Sequence, residues 1–219
     1  MGKFKKAGAA RGGDSGNLCY SHFMRNWREF EALLERLLRN EQVAEKAWDP
    51  YRDRAAILIT DLSGFTRLTR QLGNPGMMAL LLGMRRVAVP ILKAHGGIPI
   101  KYQADDLFAA FRDPVAALHA ALELRRAFRA PDLRLPAEVM LCIGIGYGEV
   151  LWWGEEDLYG EEVNLASKLG EDIAGPGEIL LTTAAATESI SLDGSLPVVP
   201  AGSMTVGGTR YEYFRFAGD

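Results

Sequence analysis

Two aspartates set in different local contexts are the first residues of this chain that could share a cation. Asp61 follows the apolar run Ala-Ile-Leu-Ile and emerges where a buried strand opens into Leu-Ser-Gly-Phe-Thr. Gly64 permits unusual backbone torsions there. Leu62, Ser63, Gly64, Phe65 and Thr66 can therefore aim several N–H groups at one point, a geometry that cradles phosphate oxygens where a helix begins. Asp105 falls between two short strand-like runs, Gly-Gly-Ile-Pro-Ile-Lys-Tyr-Gln and Asp-Leu-Phe-Ala-Ala-Phe, at the tip expected of a tight hairpin. In a mixed sheet that tip can lie beside the end of the first strand. Two carboxylates facing one pocket repel each other, and a divalent cation resolves the repulsion. Mg²⁺ in particular favours carboxylates combined with substrate phosphates. Either aspartate alone reads first as a turn or cap residue; only the pair beside a phosphate-shaped loop suggests chemistry.

These residues need a framework, and the periodicity supplies one. Phe23, Trp27, Phe30, Leu34 and Leu37 form one stripe of a helix from Ser21 to about Lys46, with Ser21 as a candidate cap and Pro50 closing the region. That helix suits either packing on its own domain or pairing with a second copy in a parallel dimer. A strand ending at Asp61 follows. Next comes a helical stretch from about Phe65 to Ala94, broken near Gly73–Pro75, and then the hairpin around Ala104–Asp105. An amphipathic helix carries Val115, Leu118, Leu122 and Phe128. A long strand region is punctuated by Gly144, Gly146 and Gly148. A helix from about Glu162 to Ala174 precedes a strand, a short helix and two C-terminal strands around a Gly207–Gly208 turn. The order strand, helix, hairpin, helix, strand predicts an α+β fold, a ferredoxin-like split β-α-β sandwich with an N-terminal helix and with helices on one face of an antiparallel-rich sheet. The expected division is a flexible leader over 1–17, the N-terminal helix within 18–49, and one domain over 50–219.

Composition excludes several classes. The 219 residues are 48% hydrophobic and 24% charged, with 25 basic against 28 acidic residues for a net charge of −3. That balance argues against nucleic-acid binding through bulk positive charge. No apolar run approaches a membrane span, and no signal peptide is recognisable, so a cytoplasmic location is expected. Met1-Gly2 lacks the Ser or Thr at position 6 that an acylation signal needs, because Lys6 stands there. Cys19 and Cys142 are far apart and read as reduced thiols. His22, His95 and His119 are scattered, and no set has zinc spacing. The alternating glycines of Gly-Ile-Gly-Tyr-Gly-Glu-Val suggest close strand packing or a bulge. Trp152 and Trp153 suit the sheet end or a dimer contact.

Four segments in register carry a resemblance: Ile-Leu-Ile-Thr-Asp-Leu-Ser-Gly-Phe-Thr, Ile-Lys-Tyr-Gln-Ala-Asp-Asp-Leu-Phe, Gly-Ile-Gly-Tyr-Gly-Glu-Val, and Asp-Leu-Tyr-Gly-Glu-Glu-Val-Asn-Leu-Ala-Ser-Lys-Leu. Over roughly residues 54–216 the chain resembles the class III nucleotide cyclase catalytic domain, the family of adenylate and guanylate cyclases. The resemblance implies a homodimer with active sites at its interface, a nucleoside triphosphate substrate and two Mg²⁺ (or Mn²⁺) ions. It matches Asp61 and Asp105 to the metal aspartates and the Leu62 carbonyl to a backbone ligand. Asp106, expected on the opposite side of its strand, is left a structural role. Lys101 and Asp157 match the purine-reading positions of adenylate cyclases. The chemistry agrees, since Lys donates to adenine N1 and Asp accepts from the exocyclic amine, whereas guanine presents the opposite pattern. Asn164 matches a ribose-orienting asparagine, and Lys168, four residues on, stands where the family carries arginine.

Three departures bear on rate rather than fold. Lys168 keeps the charge but loses the planar fork of arginine. Gly207 and Gly208 stand where a terminal hairpin often supplies a lysine, leaving Arg210 as the nearest substitute. Ala104 replaces the glycine usual before the second metal aspartate. The resemblance thus implies an ATP cyclase. Its rivals are a cyclase of GTP or a pyrimidine triphosphate, and a weakly active nucleotide-binding regulatory module. In the shared-site arrangement, one protomer gives the metal aspartates and its partner gives Lys101, Asp157, Asn164 and Lys168.

Overall fold

The computed structural model describes residues 27–129, 139–153 and 157–218. Helix α1 spans Trp27–Leu38 and is followed by a 3₁₀ turn, Glu45–Tyr51. The regular elements then run β1 (Arg52–Leu62), α2 (Phe65–Ala94), β2 (Ile98–Gln103), β3 (Asp106–Phe111), α3 (Pro114–Ala127), β4 (Leu141–Trp153), β5 (Asp157–Tyr159), α4 (Glu161–Ser167), β6 (Ile179–Thr182), α5 (Thr183–Leu192), β7 (Val198–Val206) and β8 (Thr209–Phe216). Helix α4 continues directly into a π-helical segment, Lys168–Ile173.

One mixed sheet organises the domain, in the order β2-β3-β1-β4-β6-β8-β7, with β5 paired to β4. Only β4–β6 is parallel among these pairings. β1 lies inside the sheet, between β3 and β4, and Ala55 through Thr60 are all buried because both strand faces are covered. The even face, with Ala56, Leu58 and Leu62, packs against Leu68 and Leu92 of α2, Leu118 and Leu124 of α3, and Ala185 of α5. The odd face, with Ala55, Ile57 and Ile59, packs against Val163 and Ala166 of α4. Helices therefore cover both faces, not one. The short helix α4 is the one on the second face, against the expectation of a single covered face.

Local signals explain most boundaries. Asp113 caps α3, its Oδ1 accepting from Ala116 N–H at 2.9 Å, and Pro114 occupies the first turn. α2 is interrupted at Gly73, whose φ of 66° and ψ of 170° leave the helical region just before Pro75. The C-terminal hairpin turns through Gly207 and Gly208, both at positive φ, as a two-residue loop between paired strands requires. The hairpin β2–β3 turns through Ala104 and Asp105, and here Ala104 itself takes φ 52°.

One boundary expectation is revised. The N-terminal helix ends at Leu38 rather than near Lys46, because residues 41–44 are irregular and the chain then tightens into the 3₁₀ turn. Ser21, Phe23 and the leader 1–17 lie outside the described residues. Helix α2 is long and apolar enough to cross a membrane by length and composition alone, which is no evidence of a span. Its charges are spread thinly, yet its Leu68, Met77, Met84, Ala88, Ile91 and Leu92 are buried in this domain's core.

Candidate active site

The acidic centre is assembled from one strand end and one turn. Asp61 stands at the end of β1 and Asp105 in the β2–β3 turn, where its Oδ2 accepts from Leu62 N–H at 3.3 Å. Carboxylate oxygens of Asp61, Asp105 and Asp106 all lie within 4.8 Å of one another. Asp106 thus belongs to the cluster, against the expectation that it faces away. Strand alternation separates side chains inside a regular ladder. Asp106 is the first residue of β3, directly after a turn whose leading residue is left-handed, and its carboxylate bends back toward the turn.

Electrostatics tie these three groups together. Burial, with the charge of Asp105 second, raises Asp61 to about 6. Burial, with Glu171 second, raises Asp106 to about 7, and Asp105 is also pushed up, chiefly by burial. All three acids cannot stay ionised together without a counter-charge. The donors are hard oxygens only, which suits Mg²⁺ or Mn²⁺ rather than a soft transition metal. The residues present therefore fit a divalent cation. Opposite Asp61 in the ladder, burial lifts the Cys142 thiol to about 11, so it stays protonated and inert.

The loop Leu62–Thr66 leads straight into α2. Gly64 takes φ 76°, in the left-handed region, immediately before the helix starts at Phe65. Ser63 is committed to the scaffold: its N–H donates to the Met140 carbonyl at 3.0 Å, and its Oγ accepts from Met140 N–H at 2.8 Å. Phe65 and Thr66 open the first helical turn, whose N–H groups have no carbonyl one turn back to bind. This is the geometry of an anion cradle next to the acidic centre.

The structure brings Lys101 and Asp157 together. Lys101 Nζ donates to Asp157 Oδ2 at 2.8 Å, from β2 to β5, and the ammonium also sits 4.5 Å from the centre of the Phe108 ring. Asn164 and Lys168 lie one turn apart along α4 and its π extension. Asn164 is exposed, and Lys168 Nζ donates to Asp172 Oδ2 at 2.6 Å. Lys168 reaches Asp172 rather than the acidic centre. Arg210 is exposed beside the β7–β8 turn, paired in register with Thr205.

What holds α4 in place was not read from the sequence. A Cβ on Gly144 would fall 2.1 Å from the Ala166 carbonyl oxygen, and one on Gly146 would fall 2.4 Å from that of Glu162. The alternating glycines clear one face of β4 so that a helix, not a neighbouring strand, can lie on it. Glu162 then locks the contact: its Oε2 accepts from Tyr147 N–H at 3.0 Å and from Thr182 Oγ1 at 2.6 Å. Burial raises its pKa. The usable signal was the strict period-two spacing of the glycines.

No family model matches the sequence. Relatives do. The chain is 34% identical over 137 residues to an adenylate cyclase of Streptomyces coelicolor, covering 63% of this chain and 34% of that protein. It is 32% identical over 137 residues to an adenylate cyclase of Streptomyces griseus, covering 63% of this chain and 33% of that one. The chain thus spans about a third of the length of these curated relatives. Among solved structures it is similar to the adenylyl cyclase CyaB of P. aeruginosa, with a TM-score of 0.66 at 23% identity over 77% of this chain and 95% of that one. It is likewise similar to an adenylate/guanylate cyclase/hydrolase of Silicibacter pomeroyi, with a TM-score of 0.63 at 27% identity over 77% of this chain and 98% of that one. The sheet and its covering helices have the fold of these solved nucleotide cyclases. Over this domain the chain is similar to adenylate cyclases in sequence and to solved nucleotide cyclases in fold.

Proposed function

We propose that the protein is an adenylate cyclase, converting ATP to 3′,5′-cyclic AMP and pyrophosphate in the cytoplasm, with its sites shared across a homodimer. In this reaction the ribose 3′-oxygen bonds to the α-phosphorus, the bond from that phosphorus to the bridging oxygen breaks, and the hydroxyl proton is released. The observation that carries the reading is the juxtaposition of Asp61 and Asp105 beside the left-handed Gly64 at the head of α2. Asp61, Asp105 and the Leu62 carbonyl would hold two Mg²⁺ or Mn²⁺ ions. When bound, these would supply an acidified 3′-hydroxyl and charge compensation for the triphosphate.

This chain's own residues provide the rest. The N–H groups of Ser63, Gly64, Phe65 and Thr66 are the candidates for binding phosphate oxygens, with Ser63 also bracing the loop on Met140. Lys101 and Asp157 read the adenine edge, one donating and one accepting. Asn164 orients the ribose, and Lys168 brings positive charge to the reacting phosphate once it leaves Asp172. The test is product formation by the purified chain from ATP, GTP, CTP and UTP, each with Mg²⁺ and with Mn²⁺. Cyclic AMP as the dominant product supports the reading; equal or faster turnover of another nucleotide sinks the ATP assignment. Mixing Asp61→Ala with Asn164→Ala chains tests the shared site, which fails if wild type is active and the mixture restores nothing.

A second reading, a weakly active nucleotide-binding module, is favoured by one observation: Lys168 is already paired to Asp172 and offers no arginine fork. ATP binding without cyclic product at high enzyme and Mn²⁺ would select it.

A further inference from the structure

The base-reading aspartate sits on the least supported strand of the sheet. β5 has three residues and pairs only with β4, through Leu151↔Tyr159, Trp152↔Leu158 and Trp153↔Asp157. A ladder this short needs side chains to hold it. On one side Leu158 is buried with Trp152 and Val163. On the other, the Trp153 ring meets the Tyr159 ring edge-on, with centroids 5.9 Å apart. Trp153 is itself met edge-on by Phe30 of α1, at 5.9 Å and 87°. Phe30 is 4% exposed, anchored by Trp48 at 6.0 Å and Tyr51 at 4.7 Å. An unbroken set of ring contacts therefore runs from α1 to β5, and Trp153 is the direct cross-strand partner of Asp157.

We propose that Trp153, buttressed by Phe30, is a positioning residue for base recognition: it fixes β5 so that Asp157 holds the Lys101 ammonium where an adenine edge is read. The inference rests on the adenine-reading role of Lys101 and Asp157. Neither ring touches the acidic centre, so the effect is specific to the base. Edge-on aromatic pairs contribute beyond the area they bury, and their loss frees a strand of this length. Freed of the stack, Asp157 samples more positions. Lys101 then loses a fixed partner, and the preference for adenine over guanine weakens along with affinity. The N-terminal helix thereby acquires a role in substrate choice, through Phe30.

The test uses the full chain with Trp153→Leu, Trp153→Phe and Phe30→Ala. Three quantities are read: hydrogen exchange of the 157–159 amides, kcat and KM for ATP and for GTP, and thermal midpoint as a folding control. Trp153→Leu should speed exchange at 157–159 and raise KM for ATP about tenfold, well below the roughly hundredfold that a 1 Å misplacement can cost. kcat should stay within about twofold, and the ATP-to-GTP preference should fall. Trp153→Phe, which keeps a ring in the stack, should recover most of the KM. Phe30→Ala should move every readout in the same direction. Faster exchange with an unchanged KM and base preference would overturn the proposal, as would equal losses of kcat for both nucleotides with KM intact. If wild type binds ATP but forms no cyclic product, the cyclase reading falls alone. The same comparison then runs on the Kd values for ATP and GTP, and unchanged values in Trp153→Leu overturn the positioning role.

Discussion

Lys101 Nζ and Asp157 Oδ2 lie 2.8 Å apart within one protomer, each side chain less than a third exposed. The two groups proposed to read the base thus satisfy each other before any nucleotide arrives. Removing one partner leaves the other's charge partly buried and unmatched, which costs more than the pair contributes. Lys101→Ala should raise KM for ATP by about tenfold or more, consistent with the loss of about 1.5–3 kcal/mol for a hydrogen bond to a charged group. Steady-state kinetics with ATP and GTP check this, and an unchanged KM for ATP would refute the assignment.

The acidic centre predicts an unusual pH response. Asp61 and Asp106 have folded-state pKa values of about 6 and about 7, above their ordinary 3.8. Carboxylates raised in this way favour the folded state most when protonated, so their contribution is complete below pH 4 and is lost as pH climbs through 6 and 7. In EDTA the thermal midpoint should fall between pH 5 and pH 8, and Asp106→Asn should flatten that slope. Mn²⁺ should raise the midpoint more at pH 8 than at pH 5, because the ion binds the ionised acids. Thermal denaturation across this range, with and without metal, decides the matter.

Of the three glycines that clear β4 for its covering helix, Gly144 has the closest neighbour. Gly144→Ala puts a methyl 2.1 Å from the Ala166 carbonyl oxygen, where only backbone movement can relieve it. Overpacking of this kind costs about 1–3 kcal/mol or more. α4 should shift, and with it Asn164 and Lys168. We expect a lower denaturation midpoint and a loss of kcat exceeding the loss of folded protein, whereas Gly148→Ala, which meets the Glu162 side chain at 2.7 Å rather than backbone, should be milder.

Ala104 holds φ 52° next to Asp105. A left-handed alanine is strained by about 1–2 kcal/mol, and glycine escapes that cost while adding unfolded-state entropy. Ala104→Gly should therefore gain up to about 1 kcal/mol in urea denaturation. A clear loss would show that the turn does not store strain.

Lys168→Arg offers the planar fork that the family resemblance implies at this position, while retaining a partner for Asp172. kcat should rise with little change in KM; a fall would mean that lysine is fitted to this site.

The succession of elements along the chain and the C-terminal hairpin were readable because Gly64, Gly73 and Gly207–Gly208 mark breaks and turns that side chains would resist. Asp61 and Asp105 were readable because each sits at a break between apolar runs. Asp106 was misplaced because strict alternation was applied at a strand's first residue, where the turn governs direction. Asp172 and Glu162 were missed for another reason: their partners, Lys168 and Thr182, lie on elements whose packing side depends on the cleared glycine face of β4.

The switch from α to π winding after Ser167 gives α4 two headings. A wider turn accommodates about one extra residue, and each residue swings the helix by roughly 100°. From the π segment Asp172 bears on Asp61 and Glu171 on Asp106 of their own chain, while Asn164 is exposed on the preceding turn. Deleting one residue from Lys168–Ile173 would rotate that acidic pair out of alignment and leave Asn164 untouched. The segment works as a phase shifter, letting one short helix address two neighbouring places with different residues.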